Sequence, residues 1–124
     1  AALGIDRVAV LASYPDAASG AFERFLGEAG IRVTAMQSLG AASGPAAAEL
    51  GPAAFRAAAA DLSLPAEAAL LIPDTAVPTL DWLDSLEAEL QRPVLSANQV
   101  SLWRTAGLAG LRPRAPARDR LWRP

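Results

Sequence analysis

The apolar positions of this chain fall into short runs, each closed by a polar cluster and separated by amphipathic stretches. Arg7 to Ser13, RVAVLAS, is a continuous apolar run rich in β-branched residues. That is the pattern of a strand buried on both faces of a parallel sheet, and Tyr14-Pro15-Asp16 ends it. A helix is predicted over Ser19 to Ala29, where Phe22, Phe25, Leu26 and Ala29 share one face and Gly30 supplies the stop. Ile31 to Met36 predicts a second strand at a sheet edge, with Ile31, Val33 and Ala35 alternating against Arg32 and Thr34.

Leu39 to Gly51 reads as a loop with three glycines and a proline, within which Ala46 to Leu50 could form a short helical turn. Pro52 suits the first turn of a helix running to about Leu62, with Phe55 and Leu62 facing the core. Ala68 to Ile72 predicts the third strand, ended by Pro73-Asp74-Thr75. Leu80, Leu83, Leu86 and Leu90 mark the next helix, with Asp81 and Asp84 near its positive end. Val94-Leu95 begins a fourth strand, and Asn98 is a candidate cap for a last helix carrying Val100 and Trp103. This rhythm predicts a three-layer α/β sandwich with a four-stranded parallel sheet, order 2-1-3-4, flavodoxin-like. Residues 1–111 would form a single α/β lobe. Leu3-Gly4 looks like the end of a helix that precedes this sequence, so the lobe is expected to begin inside a larger protein.

Composition narrows the chemistry. The 124 residues hold 52% hydrophobic and 19% charged side chains, enough apolar surface for one compact core. The net charge of −2 offers no general attraction to nucleic acid or anionic lipid. No apolar run is long enough to span a bilayer and no signal peptide is visible, so the cytoplasm is the expected location. The chain has no Cys and no His, which removes thiolate chemistry, imidazole acid/base work and the usual zinc sites from this polypeptide. No P-loop or dinucleotide fingerprint is present, and Gly40 and Gly44 form neither. The segment 112–124 departs in composition, with five arginines, one acid and three prolines, and is expected to be a solvated tail or a lobe contact. Its single aromatic gives no stacking platform for nucleic acid, and Trp82, Trp103 and Trp122 are expected in lobe or interface packing.

Parallel strands put their carboxyl ends on one edge, where helix N-termini also direct unpaired N–H groups. The residues expected there are Ser13-Tyr14, Gln37-Ser38, Asp74-Thr75 and Ser96 to Asn98, a seat for a small anionic ligand. Each has a structural alternative. Asp74 could simply accept N–H bonds from the turn that follows it. Thr75, Thr79, Ser96 and Asn98 could cap or brace loops, and Tyr14 could pack its ring and bond locally.

The strings AALLIPDTAVPTLDWLDSLEAELQRPVLSANQVSLW and ALGIDRVAVLASYPDAASGAFERFLGEAGIRVTAMQSLG, with the closing PVLSANQVSLWRTAGLAG, carry a resemblance. They are similar to the second lobe of the cofactor-independent aspartate/glutamate racemase superfamily, in its maleate isomerase and arylmalonate decarboxylase branch. The likeness runs to about Leu111. It implies a pseudo-symmetric two-lobed enzyme with its active site between lobes and no metal or organic cofactor. It further implies a residue from each lobe beside the substrate carbon, cysteine in many members, and a carboxylate held by amides and hydroxyls. Mapped onto this chain, the resemblance makes Asp74 the candidate catalytic residue, with Tyr14, Thr75, Ser13 and Ser96 as candidate substrate-binding residues. The implied partners are a small carboxylate, a first lobe of the same protein and room for a homo-oligomer.

One departure stands out. Asp74 occupies the strand end where relatives carry cysteine, and a carboxylate is a weaker base than a thiolate and a poor nucleophile. The expectation is therefore one lobe of an isomerase, racemase or decarboxylase acting by proton transfer next to a carboxylate. The alternative is a non-catalytic or degenerate homologue that binds a small carboxylate or supports assembly.

Overall fold

In a computed structural model, which describes residues 3–111 and 120–122, the chain forms one four-stranded sheet. The strands are β1 (Arg7–Ala12), β2 (Arg32–Ser38), β3 (Ala69–Ile72) and β4 (Val94–Ser96), in the order β2-β1-β3-β4, and every pairing is parallel. The helices are α1 (Asp16–Glu28), α2 (Gly44–Ala48), α3 (Pro52–Asp61), α4 (Leu83–Leu90) and α5 (Ala97–Leu108), with a short 3-10 turn at Arg120–Trp122.

Strand periodicity splits the core into two. Val8, Val10 and Ala12 pack with Leu26 of α1, while Ala9 and Leu11 pack on the other face with Ala47, Phe55, Ala58, Leu83 and Leu86 from α2, α3 and α4. Because β1 and β3 are covered on both faces, their sequences read as unbroken apolar runs. Phe55 is fully buried and its ring lies 5.3 Å from that of Trp82, so Trp82 belongs to this lobe's own core rather than to an interface.

The structure moves several expected features. Helix α1 starts three residues earlier than the apolar pattern suggests, because Pro15 fits the position before a first turn and Asp16 complements the helix dipole. Phe25 is exposed, stacked on Phe22 at 6.2 Å, and Leu26 alone of α1's large apolar residues is buried. In β2 the alternation breaks. Val8 pairs with Val33 but Ala9 with Ala35, leaving Thr34 as an extra residue whose hydroxyl donates to the Val8 carbonyl at 3.2 Å. Val33 and Met36 therefore pack towards α1, whereas Ala35 turns to the opposite core.

The expected loop 39–51 contains α2, capped by the Ser43 hydroxyl, which accepts from the Ala46 N–H at 3.3 Å. Helix α4 begins at Leu83, so Leu80 and Asp81 precede it and Leu80 is exposed. Of the Arg/Pro-rich tail, 112–119 and 123–124 lie outside the described residues. Leu121 is buried, and the buried Glu87 of α4 accepts from the Arg120 and Val94 backbone N–H groups at 3.1 and 3.0 Å.

Candidate active site

All the polar strand ends gather at one edge because the sheet is wholly parallel. Ser13 follows β1 and is fully buried. Its carbonyl accepts from the Ala41 N–H at 2.7 Å, which ties the loop after β2 across the end of β1. Its hydroxyl crosses to the next strand and donates to Oδ2 of Asp74. The other carboxylate oxygen, Oδ1, accepts from the Ala76 N–H at 2.8 Å, so Asp74 also nucleates the turn that follows β3. Asp74 therefore shapes its own turn, as the structural alternative expects, and is held at the carboxyl edge by a hydroxyl from the neighbouring strand.

Tyr14 sits beside this pair, half-buried. Burial pushes its phenol above the ordinary tyrosine value, and the negative charge of Asp74 adds to the effect. Near neutral pH the phenol keeps its proton and so carries a hydrogen-bond donor.

The remaining strand ends brace this arrangement. Ser96 is fully buried, and its hydroxyl accepts from the Gln99 N–H at 3.2 Å and from the Thr79 hydroxyl at 2.8 Å. With the Gln99 side chain reaching back to the Ser96 N–H at 3.3 Å, this is a full capping box at the start of α5. Ser96 is therefore the cap that the sequence pattern gave to Asn98. Asn98 lies inside the helix and donates from its amide to the carbonyls of Thr75 and Val77, at 3.1 and 3.0 Å. Thr75 is exposed, and the loop that carries it is clamped to α5 through Asn98 and to β4 through Thr79. On the far side, Ser38 donates to Ser19 at 2.6 Å, locking the end of β2 to the first turn of α1.

Of the sequence candidates, Tyr14, Asp74 and Thr75 present surface at the edge, while Ser13 and Ser96 are buried beneath it. Thr79 and Gln99 are buried polar members of the support that local pattern alone did not single out as a unit, since their partners lie on other elements. Among the described residues no group of three or more acidic, His or Cys side chains could hold a metal ion, and no helix is long and apolar enough to cross a membrane.

The family model described as arylmalonate decarboxylase matches residues 1–122. The chain belongs to the arylmalonate decarboxylase family. Within it, a liganded variant of arylmalonate decarboxylase, with one glycine changed to cysteine and one cysteine to serine, is 30% identical over 97% of this chain and 52% of its own, with a TM-score of 0.80. A cysteine-to-serine variant of Nocardia farcinica maleate cis-trans isomerase, solved with a covalently bound succinylcysteine intermediate, is 25% identical with a TM-score of 0.91, covering 98% of this chain and 50% of its own. The maleate isomerase of Pseudomonas putida S16, solved with maleate as a cysteine-to-alanine variant, shares the fold at a TM-score of 0.90 and 24% identity, over 98% of this chain and 49% of its own. The chain spans about half the length of these solved relatives. No curated protein sequence matches it significantly. These relatives, arylmalonate decarboxylases and a maleate isomerase, are members of the Asp/Glu racemase-like superfamily that the chain's motifs resemble.

Proposed function

We propose that this chain is one lobe of a cofactor-independent cytoplasmic enzyme that isomerises, racemises or decarboxylates a small carboxylic acid, with a second lobe supplying the facing wall of the cleft. The observation that carries the reading is the placement of Asp74: a partly exposed carboxylate at a parallel-strand end, fixed through both oxygens, beside a protonated phenol. In this reading the Tyr14 O–H and edge amides hold the substrate carboxylate. Asp74 takes the proton from the adjacent carbon, and the electron pair moves onto the carboxylate as an enediolate stabilised by those donors. Delivery of a proton to the opposite face of that carbon by an acid of the facing lobe completes a racemisation, and its delivery to a different carbon completes an isomerisation; Asp74 keeps the proton it took and loses it to solvent before the next turnover. For decarboxylation the electron pair comes instead from the C–C bond as carbon dioxide leaves, and the protonated form of Asp74 delivers the proton. The lobe is assigned to residues 1–111, followed by the Arg/Pro-rich segment 112–124, of which Arg120–Trp122 packs on the lobe through Leu121 and the Arg120–Glu87 contact.

A second reading has its own support. Both Asp74 oxygens already accept hydrogen bonds, as a purely structural turn residue would arrange, and a lobe with such an aspartate could bind a carboxylate without catalysis. Solvent-deuterium exchange at the carbon next to the carboxylate, followed by NMR on a panel of small acids with the full-length protein, separates the two. The enzyme reading expects exchange that Asp74→Asn slows by about 10²–10⁴-fold. Carboxylate binding with no exchange supports the second reading.

A further inference from the structure

Among the described residues the Asp74 carboxylate has no cationic partner. Its oxygens are met by a neutral hydroxyl and a neutral amide, and the ion pairs of the described residues, Arg7–Glu67, Arg56–Glu89 and Arg120–Glu87, are formed by other side chains. Arg92 is spent on the carbonyls of Leu64, Pro65 and Ala68, in the loop that leads into β3. The Tyr14 phenol beside Asp74 is held protonated by its burial first and by the Asp74 carboxylate second. A fixed carboxylate at a partly buried strand end, with no cation beside it among the described residues, favours a ligand atom that donates a hydrogen bond or carries positive charge, and repels a second carboxylate.

Resting on the isomerase or racemase form of the function proposed above, we infer that this site takes a monoanionic carboxylic acid whose second functional group, the one against Asp74, is a hydrogen-bond donor, and that it disfavours dicarboxylate dianions, the substrates that decarboxylation onto an enediolate would need. The substrate carboxylate lies towards Tyr14. The donor-bearing group, such as a carboxamide, hydroxyl or ammonium, lies over the Asp74 carboxylate, whose lone pairs are not exhausted by Ser13 and Ala76. A thiol at this place is neutral when protonated and imposes no such charge selection, so replacement of cysteine by aspartate changes the acceptable substrate charge as well as the acid/base group.

Maleate and its monoamide test this with the full-length protein, because they share a carbon skeleton and differ in one carboxylate. Binding is measured by calorimetry under mildly alkaline conditions, where both maleate carboxylates are ionised. The monoamide is expected to bind at least about tenfold more tightly than maleate, a gap that narrows with added salt. Asp74→Asn should bring the two affinities together. Its amide can still accept from Ala76 and donate to Ser13, so folding is expected to survive. Equal affinities in the wild type, or a preference for maleate, overturn the charge selection while leaving a carboxylate site in place. A preference that neither salt nor Asp74→Asn alters also overturns it. Binding of neither compound or of any other small acid, together with absence of deuterium exchange, removes the carboxylate-site reading and this inference with it.

Discussion

The buried Ser13 at the end of β1 donates its hydroxyl to Asp74 at the end of β3, 61 residues further along the chain. This bond joins the two central strands at the edge where ligand is proposed to bind. It also converts a flexible acidic side chain into a fixed acceptor. Ser13→Ala removes the donor and leaves the Oδ2 oxygen partly buried without it. A loss of about 1–3 kcal/mol in unfolding free energy is expected from urea denaturation. Asp74→Asn should cost less than Ser13→Ala. Reversal of that order would show that the hydroxyl–carboxylate bond contributes little.

The 124 residues contain a single tyrosine, so ultraviolet absorbance of tyrosinate in this chain reads Tyr14 alone. Its midpoint is expected above the ordinary tyrosine value of 10.0, and Asp74→Asn should lower it only part of the way back, because burial is the larger cause and the Asp74 charge the smaller. The sign for stability follows. The folded state holds the Tyr14 proton more tightly than the unfolded chain. Its contribution is therefore complete below the unfolded value and is lost as pH rises through the raised folded value. A tyrosinate midpoint at or below 10.0 in the wild type would contradict the burial and the Asp74 proximity together.

How far the sequence reached can be seen in these same residues. The unbroken run before Ser13 and the polar cluster at Asp74 are local signals, and they placed both residues at one sheet edge because parallel strands end on the same side. The bond between them is not local. Nothing in the pattern around Ser13 distinguishes a serine facing substrate from one facing a carboxylate across the sheet. The same limit applies to Ser96 and Asn98, two acceptable caps two residues apart: Gln99 three positions after Ser96 was the capping-box cue that decides between them. The bulge at Thr34 left no mark in the alternation of Ile31, Val33 and Ala35, since it depends on pairing with β1. Phe25 sits on a helical apolar face by spacing, yet the sheet it would need to cover lies against Leu26.

The Thr79–Ser96 hydroxyl pair makes a separate prediction about the support of the site. Ser96→Ala removes the α5 cap and leaves the buried Thr79 hydroxyl without its acceptor. The cap alone is worth about 0.5–2 kcal/mol, and an unsatisfied buried hydroxyl adds a penalty of similar size. Thr79→Val, which keeps shape and removes the orphaned donor, should recover part of the loss when combined with Ser96→Ala. Thermal unfolding of the four members of this cycle measures the coupling, and simple additivity would show that the two hydroxyls act independently.

Asp74→Cys returns the residue type that the resemblance assigns to this strand end, and in the 124-residue chain it makes the sole thiol, because these residues include no cysteine. The donors that now hold the carboxylate, the Ser13 hydroxyl and the Ala76 N–H, would face the sulfur instead. Both stabilise an anion, and no acidic side chain is hydrogen-bonded to Asp74 to oppose it. The thiol is therefore expected to ionise below the ordinary cysteine value of about 8.5, and its alkylation by iodoacetamide should rise with a midpoint below that value. Mass spectrometry reads the adduct without ambiguity, since no other residue competes as a thiol. In the full-length protein the same variant is expected to accept maleate better than the wild type does, because the fixed negative charge has been replaced by a group that can be neutral. An alkylation midpoint at or above the ordinary value would mean that the Ser13 and Ala76 donors do not reach this position in solution. The pre-formed anion seat, on which both the acid/base role and the charge selection of Asp74 depend, would then be absent.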